Sequence, residues 1–366
     1  MKVPFLDLRV LDSSERTDLL EGVSAVFDHG KFVMGPEVEQ LEAAIAKYCG
    51  RRYAVAVGSG THALWLAIKA LQLKPGEEII TTALSWIATA NAIALAGATP
   101  VFADIRDDLN IDPDSVQKLI SPRTRAILPV HYTGKPCDME RLMCLAKCNN
   151  IEIIEDAAQA FGATYRGRQV GSFGTLAAFS MNPMKVLAAC GEAGAIVTDD
   201  KSLFERLEAL RYNGCINREL CIEPSLNGRI DTLQAALLSR RLVRLPELLA
   251  ARRRNAARYD MLLRGFVNTP AYSIGAEDVF YTYTILADNR DELRKFLDQH
   301  GIETKIQHPY LMPDQPAYKT SIQDDLSRAR NLIKRVLCLP IHEKLTDAQI
   351  DFVSSCIKMF YNNSKI

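Results

Sequence analysis

The chain has 366 residues, with 44 basic and 44 acidic side chains, 48% hydrophobic and 24% charged. That length can bury a large core and predicts two domains, while the balanced charge excludes a general attraction to nucleic acid or to an anionic membrane. No apolar stretch reaches the roughly 20 residues of a membrane helix, and the first residues, Met1-Lys2-Val3-Pro4-Phe5-Leu6-Asp7, lack the apolar centre of a secretion signal, so a cytoplasmic protein is expected.

In chain order, residues 37–48 place Val38, Leu41, Ile45 and Tyr48 on one side of a helix that Gly35-Pro36 punctuates. Short apolar runs then alternate with helical patterns. Strands are predicted over 53–57, 78–82, 100–103, 126–131 and 151–155, and helices over 61–73, 88–95 and 139–147. The alternation predicts an α/β fold, a mostly parallel sheet sandwiched by helices. Ligands of such sheets bind beyond the carboxyl ends of the strands, where Gly58 to Thr61, His131 and Asp156 fall. Apolar runs at 176–179 and 195–197 predict two more buried strands, with Lys185 in the connection between them. A helix over 231–245 is expected to stop near Pro246, and a long basic helix with Arg252-Arg253-Arg254 on a solvated face follows it. After about residue 265 the pattern changes to a strand at 281–286, a helix at 290–300 and helical stretches at 324–336 and 346–360. The expected division is a large domain over 1–245 and a smaller C-terminal α+β domain over 246–366.

The nine cysteines are scattered. Cys144 and Cys148 share a helix face, but no second pair follows at zinc spacing, so no metal is expected and reduced, mostly buried thiols are the reading. The final Ser364-Lys365-Ile366 only approximates a peroxisomal signal and carries no weight.

Lys185 is the residue with chemistry in it. A buried lysine loses hydration, tends to shed its proton and becomes a nucleophile able to form a Schiff base with an aldehyde. Asp156, at the end of another apolar strand, supplies a carboxylate. A Schiff-base lysine and an aspartate for the pyridinium nitrogen are the two protein groups that pyridoxal 5'-phosphate (PLP) needs. Gly58-Ser59-Gly60-Thr61 joins a strand to a helix, where free amides and the positive helix end favour a phosphate; a bare structural turn reads the same way. Trp86 is either a plate for a flat heterocycle or a core tryptophan. His131 is either a ligand or a hydrogen-bonded structural residue, and Asp156 alone could be a helix N-cap. Gln159, one turn after Asp156, could face the same cavity. What favours a cofactor is the order in which phosphate turn, aromatic plate, carboxylate and lysine occur.

These residues resemble the DegT/DnrJ/EryC1/StrS family of PLP-dependent sugar aminotransferases, a branch of the fold-type I enzymes. The likeness runs from Val3-Pro4-Phe5-Leu6-Asp7 and Met34-Gly35-Pro36 through Gly60-Thr61, Glu155-Asp156-Ala157-Ala158-Gln159, Ser180 with Pro183 and Lys185, and Gly191-Glu192. It continues through Asn227-x-Arg229, Asp231-Thr232-Leu233-Gln234 and His308-Pro309-Tyr310. The resemblance implies that Lys185 holds PLP and moves protons, Asp156 pairs with the ring nitrogen, Gln159 meets the phenolic oxygen and Trp86 stacks on the ring. It implies that Gly60, Thr61 and Ser180 bind the phosphate, joined by Asn227 from the other subunit of a homodimer with shared active sites. Glu192, His308 and Tyr310 are implied to lie near a nucleotide-linked keto sugar, and Arg229 to meet the donor carboxylate or a sugar-nucleotide phosphate. The implied reaction passes an amino group from L-glutamate to a 3- or 4-keto sugar for aminosugar biosynthesis.

This sequence departs from the common family pattern at Met181, Asn182 and Met184 before the lysine, at Ala193, and at Cys190. A PLP-dependent sugar dehydratase on the same scaffold would carry histidine in place of Lys185. A non-catalytic PLP-binding protein would retain the site without turnover. A nicotinamide oxidoreductase is disfavoured by the missing GxGxxG.

Overall fold

The protein is described here by a computed structural model covering residues 1–271 and 274–363; the Ser364-Lys365-Ile366 tripeptide lies outside the described residues. Helices α1 (Ser13–His29) and α2 (Pro36–Cys49) lead into strand β1 (Tyr53–Val57). Then α3 (Gly60–Ala70), β2 (Glu78–Thr82), α4 (Ala88–Leu95), β3 (Thr99–Ala103) and α5 (Pro113–Leu119) alternate. The series continues with β4 (Thr124–Leu128), α6 (Met139–Asn149), β5 (Glu152–Asp156), β6 (Leu176–Ser180), β7 (Gly194–Thr198) and α7 (Lys201–Arg211). A short hairpin, β8 (Cys215–Ile216) and β9 (Leu220–Cys221), precedes the long α8 (Thr232–Leu263). The C-terminal part holds β10 (Tyr283–Leu286), α9 (Arg290–Gln299), α10 (Ser327–Leu332), β11 (Val336–Leu339) and α11 (Asp347–Asn363).

The seven-stranded sheet has the order β1-β7-β6-β5-β4-β2-β3. All neighbours are parallel except β7, which runs antiparallel to both β6 and β1. Side chains alternate between two cores, as a period of two requires. Ala54, Ala56, Ala177, Phe179, Ala195 and Val197 face α2 and α8, while Val55, Val57, Leu176, Ala178 and Ile196 face α3 and α7. Burial on both faces explains why β6 is entirely apolar up to Ser180. Because β7 returns antiparallel beside β6, residues 181–193 must cross the carboxyl end of the sheet, and Lys185 is held there.

Three expectations are corrected. The helix expected to stop near Pro246 instead runs unbroken through it. A proline inside a helix costs about 3 kcal/mol, but Leu242, Leu245 and Leu249 are buried around it, each stabilising by roughly 1.5–3 kcal/mol. The expected boundary at 245/246 therefore falls within α8, whose residues through Leu249 join the sheet's core while those from Ala256 join the C-terminal core. We propose a larger and a smaller domain that share this helix as a strut. Second, the helical stretch expected over 324–336 is only α10 followed by β11, which pairs antiparallel with β10. Four apolar residues in a row do not by periodicity distinguish strand from helix. Third, the thiols are not mostly buried: Cys49, Cys137, Cys338 and Cys356 are, whereas Cys144, Cys148, Cys190 and Cys221 are exposed and Cys215 is half-buried. Among the described residues, no helix is long and apolar enough to cross a membrane and no cluster of His, Cys, Asp or Glu could hold a metal.

One buried carboxylate ties the loops to the end of β5. Glu155 accepts hydrogen bonds from the amides of Gly171, Phe173 and Gly174, each at 2.8 Å, and from His131 Nε2 at 3.1 Å. His131 Nδ1 accepts from the Cys137 amide, so the ring proton sits on Nε2 and is donated to Glu155. Burial alone would raise the Glu155 pKa; the hydrogen bonds from His131 and the amides outweigh it and hold it low. Glu155→Ala strands three amides and a histidine, so the protein should lose about 3–5 kcal/mol of stability. Denaturant unfolding measures this, and a loss below about 1 kcal/mol would refute the role.

Candidate active site

The carboxyl ends of β1, β2, β5 and β6 open onto a cleft of about 480 Å³. At its floor, α3 starts with Ser59 as N-cap, the serine hydroxyl accepting from the His62 amide at 3.1 Å. The first-turn amides of Gly60 and Thr61 are left for a ligand, as at any helix start, and the helix end adds positive potential. Gly60 is needed for packing. A Cβ there would come within 2.4 Å of Ser180 Cβ, so only glycine lets the helix start lie against the end of β6. The two elements expected to bind a phosphate are thereby brought together.

Lys185 is half-buried along its length, but its amine is desolvated, and that lowers it to about 8. Asp156 and Glu192 pull the other way and limit the fall. Its Nζ lies 4.3 Å from the centre of the Tyr281 ring. Asp156 is 2% exposed. Burial raises its pKa, opposed by a hydrogen bond from the Thr89 hydroxyl to Oδ2 at 2.8 Å and another from the Ala158 amide to Oδ1 at 3.1 Å. Those two donors orient the carboxylate. Gln159 Oε1 accepts from the Thr133 amide at 2.9 Å, which fixes which way its amide faces.

At the mouth, Trp86 is 61% exposed, which rules out the core reading; its ring centre lies 5.8 Å from that of His308. His308 is pushed down to about 3, by burial first and then by Lys185 and Lys305, so its imidazole is neutral at ordinary pH. Its Nδ1 is buried and without a partner among the described residues. Asn182 Nδ2 donates to Glu192 Oε1 at 2.6 Å, so the two residues face the cleft as one polar unit.

Gly60, Thr61, Trp86, Asp156, Gln159, Ser180, Lys185, Glu192 and His308 thus line one cleft. Asn227, Arg229 and Tyr310 do not line it. Asn227 Oδ1 accepts from Arg229 Nε at 2.8 Å, Arg229 stacks over Tyr212 at 4.6 Å, and Tyr310 is 69% exposed. His131 takes its structural reading, since its ring is bonded to Glu155 and Cys137. Sequence reasoning missed Thr89, Tyr281, Lys305 and Gln307, which line the same cleft. Nothing local marks them: Thr89 lies 67 positions from the carboxylate it orients. The residues suit a flat, phosphate-bearing aldehyde. A helix start lies against Ser180, a desolvated amine is lowered to about 8, a carboxylate is held by two donors, and an unpartnered imidazole nitrogen remains.

The DegT/DnrJ/EryC1/StrS aminotransferase family model matches residues 13–358. The chain is 40% identical to a dTDP-3-amino-3,4,6-trideoxy-alpha-D-glucose transaminase of Streptomyces venezuelae, over 95% of this chain and 93% of that one. It is 37% identical to a pleiotropic regulatory protein of Geobacillus stearothermophilus, over 99% and 100% of the two chains. The crystal structure of S. venezuelae DesV in complex with ketimine intermediate superposes with a TM-score of 0.95 at 39% identity, over 98% of both chains.

A lysine near 10.5 is neutral in about one molecule in 3,000 at pH 7, whereas one near 8 is neutral in about one in ten. The rate at which cofactor-free protein takes up pyridoxal phosphate should therefore rise with pH and level off above about 8. Stopped-flow absorbance checks this; a rise that continues to an ordinary lysine's pKa would refute the buried-amine account.

Proposed function

The chain belongs to the DegT/DnrJ/EryC1/StrS aminotransferase family, and from that membership we infer a PLP-dependent transaminase that moves an amino group from L-glutamate to the keto group of a nucleotide-linked sugar. The observation that carries the reading is Lys185, a buried amine lowered to about 8 in a cleft whose opposite carboxylate is Asp156. Bound PLP supplies an aldehyde that condenses with amines and a ring that withdraws electrons from the carbon being deprotonated.

The roles of the chain's own residues follow from their placement. Gly60 and Thr61 bind the phosphate through their amides, with Ser180 beside them. Asp156 Oδ1 and Oδ2, each already oriented by one donor, hold a protonated ring nitrogen. A cation at that position returns the buried carboxyl to its charged form. Gln159 would meet the phenolic oxygen and Trp86 would cover the ring, both lining the cleft. Lys185 Nζ would hold the cofactor and would carry the proton taken from the α-carbon of the donor. An amine near 8 is suited to both directions near neutral pH. Glu192, with Asn182 behind it, and neutral His308 meet sugar hydroxyls. Tyr310, exposed outside the cleft, would have to reach the sugar from there.

Asn227 and Arg229 are read as belonging to a neighbour's cleft. They do not line their own, and the surface around them carries exposed apolar side chains at Leu220, Ile222 and Leu226. A homodimer in which each copy lends Asn227 to the other's phosphate and Arg229 to its anionic substrate accounts for both facts. The setting of this reaction is read as the cytoplasm. The transaminase relative is named for a 3-amino sugar, which makes 3-keto substrates the first to test and 4-keto substrates the second. A dehydratase is disfavoured by Lys185. A non-catalytic role, to which the regulatory name of one relative points, is separated by turnover.

With glutamate as donor, the visible cofactor band should fade and return when a keto acid is added, and mass spectrometry of a panel of aminosugar nucleotides run in reverse should identify the substrate; a band that never responds would favour mere binding. Lys185→Ala should abolish turnover while leaving the fold intact, and Asp156→Asn should lower kcat by on the order of a hundredfold; near-normal kcat in either variant would sink the assignment. Light scattering after size exclusion should give a dimer or larger, and a fully active monomer would contradict the shared site.

A further inference from the structure

The antiparallel ladder that carries Asn227 continues outward to a pair of cysteines. Tyr212 bridges Asn227, the Asn213 amide donates to the Leu226 carbonyl at 3.3 Å, and the Ile222 amide donates to the Gly214 carbonyl at 2.8 Å. Beyond that bond Cys215 stands directly opposite Cys221, and Ile216 opposite Leu220. The Ile222–Gly214 bond flanks the cysteine pair, which makes it the non-hydrogen-bonded kind of antiparallel pair. Such pairs hold their Cα atoms about 4.5 Å apart, inside the roughly 4.4–6.8 Å range of a disulfide. The two sulfurs also point the same way. Each lies by the Asn213 carbonyl, at 3.8 Å for Cys215 and 3.7 Å for Cys221, and Cys221 also reaches the Glu223 carbonyl at 3.5 Å. Cys221 is exposed and Cys215 half-buried.

We propose that Cys215 and Cys221 form a reversible dithiol–disulfide couple that staples this hairpin when oxidised. A small disulfide of the glutathione class is the oxidant. The exposed Cys221, as thiolate, attacks one of its sulfurs and expels one small thiol; Cys215, as thiolate, attacks the mixed disulfide and expels the second. Two S–H bonds are lost and one S–S bond forms in the protein. The external disulfide gains two electrons and, with the two protons released, leaves as two thiols. Reversible bonds of this kind are the form protein disulfides take in reducing compartments. The other exposed pair cannot copy it: Cys144 and Cys148, four apart on α6, are separated by about 5–6 Å at Cβ, beyond the roughly 3.5–4.5 Å a disulfide allows. Closing the tip of the ladder restrains the segment 212–229 at whose base Asn227 and Arg229 stand. A consequence for catalysis rests on the proposed function; the bond and its restraint do not.

The test uses the full-length holoenzyme in glutathione buffers of graded oxidised-to-reduced ratio, quenched with acid, alkylated and digested with trypsin. Cleavage after Arg211, Arg218 and Arg229 places Cys215 in peptide 212–218 and Cys221 in peptide 219–229. The expected product is these two peptides joined, about 2 Da lighter than their sum and separated again by dithiothreitol. Cys144 and Cys148 should remain unjoined. Amide hydrogen exchange over 212–229 should slow in the oxidised protein. In Cys221→Ser, Cys215 should at most carry a glutathione adduct. Free thiols or unjoined adducts at both positions, a bond from Cys215 to another cysteine, or joined peptides with unchanged exchange would each overturn the proposal. Loss of transaminase activity with the joined peptides intact would bear only on the assignment of Asn227 and Arg229.

Discussion

The site depends on taking a lysine ammonium and an aspartate carboxylate out of water together. Desolvation disfavours the charged form of each, so it lowers Lys185 and raises Asp156 at once. Their mutual attraction opposes both shifts without cancelling either. Neither group is at its electrostatic best in the cleft as it stands. A cation against Asp156 and an electrophile at Lys185 complete both, and a pyridinium ring bearing an aldehyde supplies the two in one molecule. On the proposed reading, binding the cofactor would relieve both desolvated groups at once.

The period of a β-strand lets neighbouring residues serve different ends. Glu155 and Asp156 are adjacent at the end of β5 and point to opposite faces. Glu155 turns toward the 171–174 loop, where three amides and His131 satisfy it. Asp156 turns toward the cleft, where Thr89 and Ala158 orient it but leave room for a ligand. One carboxylate anchors the strand end that positions the other. The same economy holds at the floor, where the absence of a Cβ at Gly60 lets the start of α3 lie against Ser180.

The segment from 212 to 229 behaves as an arm rather than as part of its own chain's site. Lys69 and Arg206 hold Glu223 just past β9, Tyr212 is bridged to Asn227, and apolar side chains stand exposed along it. In the proposed homodimer a second copy would bring Asn227 and Arg229 to a cleft that they do not line in their own chain. The proposed redox couple at the tip of this segment would act there without touching the lysine.

Much of the protein was legible in its residue order. The strand–helix alternation, the strand ends, the phosphate turn, Asp156 and Lys185 are all local signals, because periodicity, glycine and the position of a charge after an apolar run are properties of a few consecutive residues. The weakly striped α1, the continuity of α8 through Pro246 and the strand β11 were not legible, because burial against distant neighbours settled them. Tertiary structure alone decided that Trp86 is exposed, that His131 is spent on Glu155, and that Thr89 and Tyr281 belong to the cleft. It alone set Cys215 against Cys221. Sequence determined which groups could do chemistry; only folding determined which of them meet, because desolvation and hydrogen bonding depend on neighbours that lie tens to hundreds of residues away along the chain.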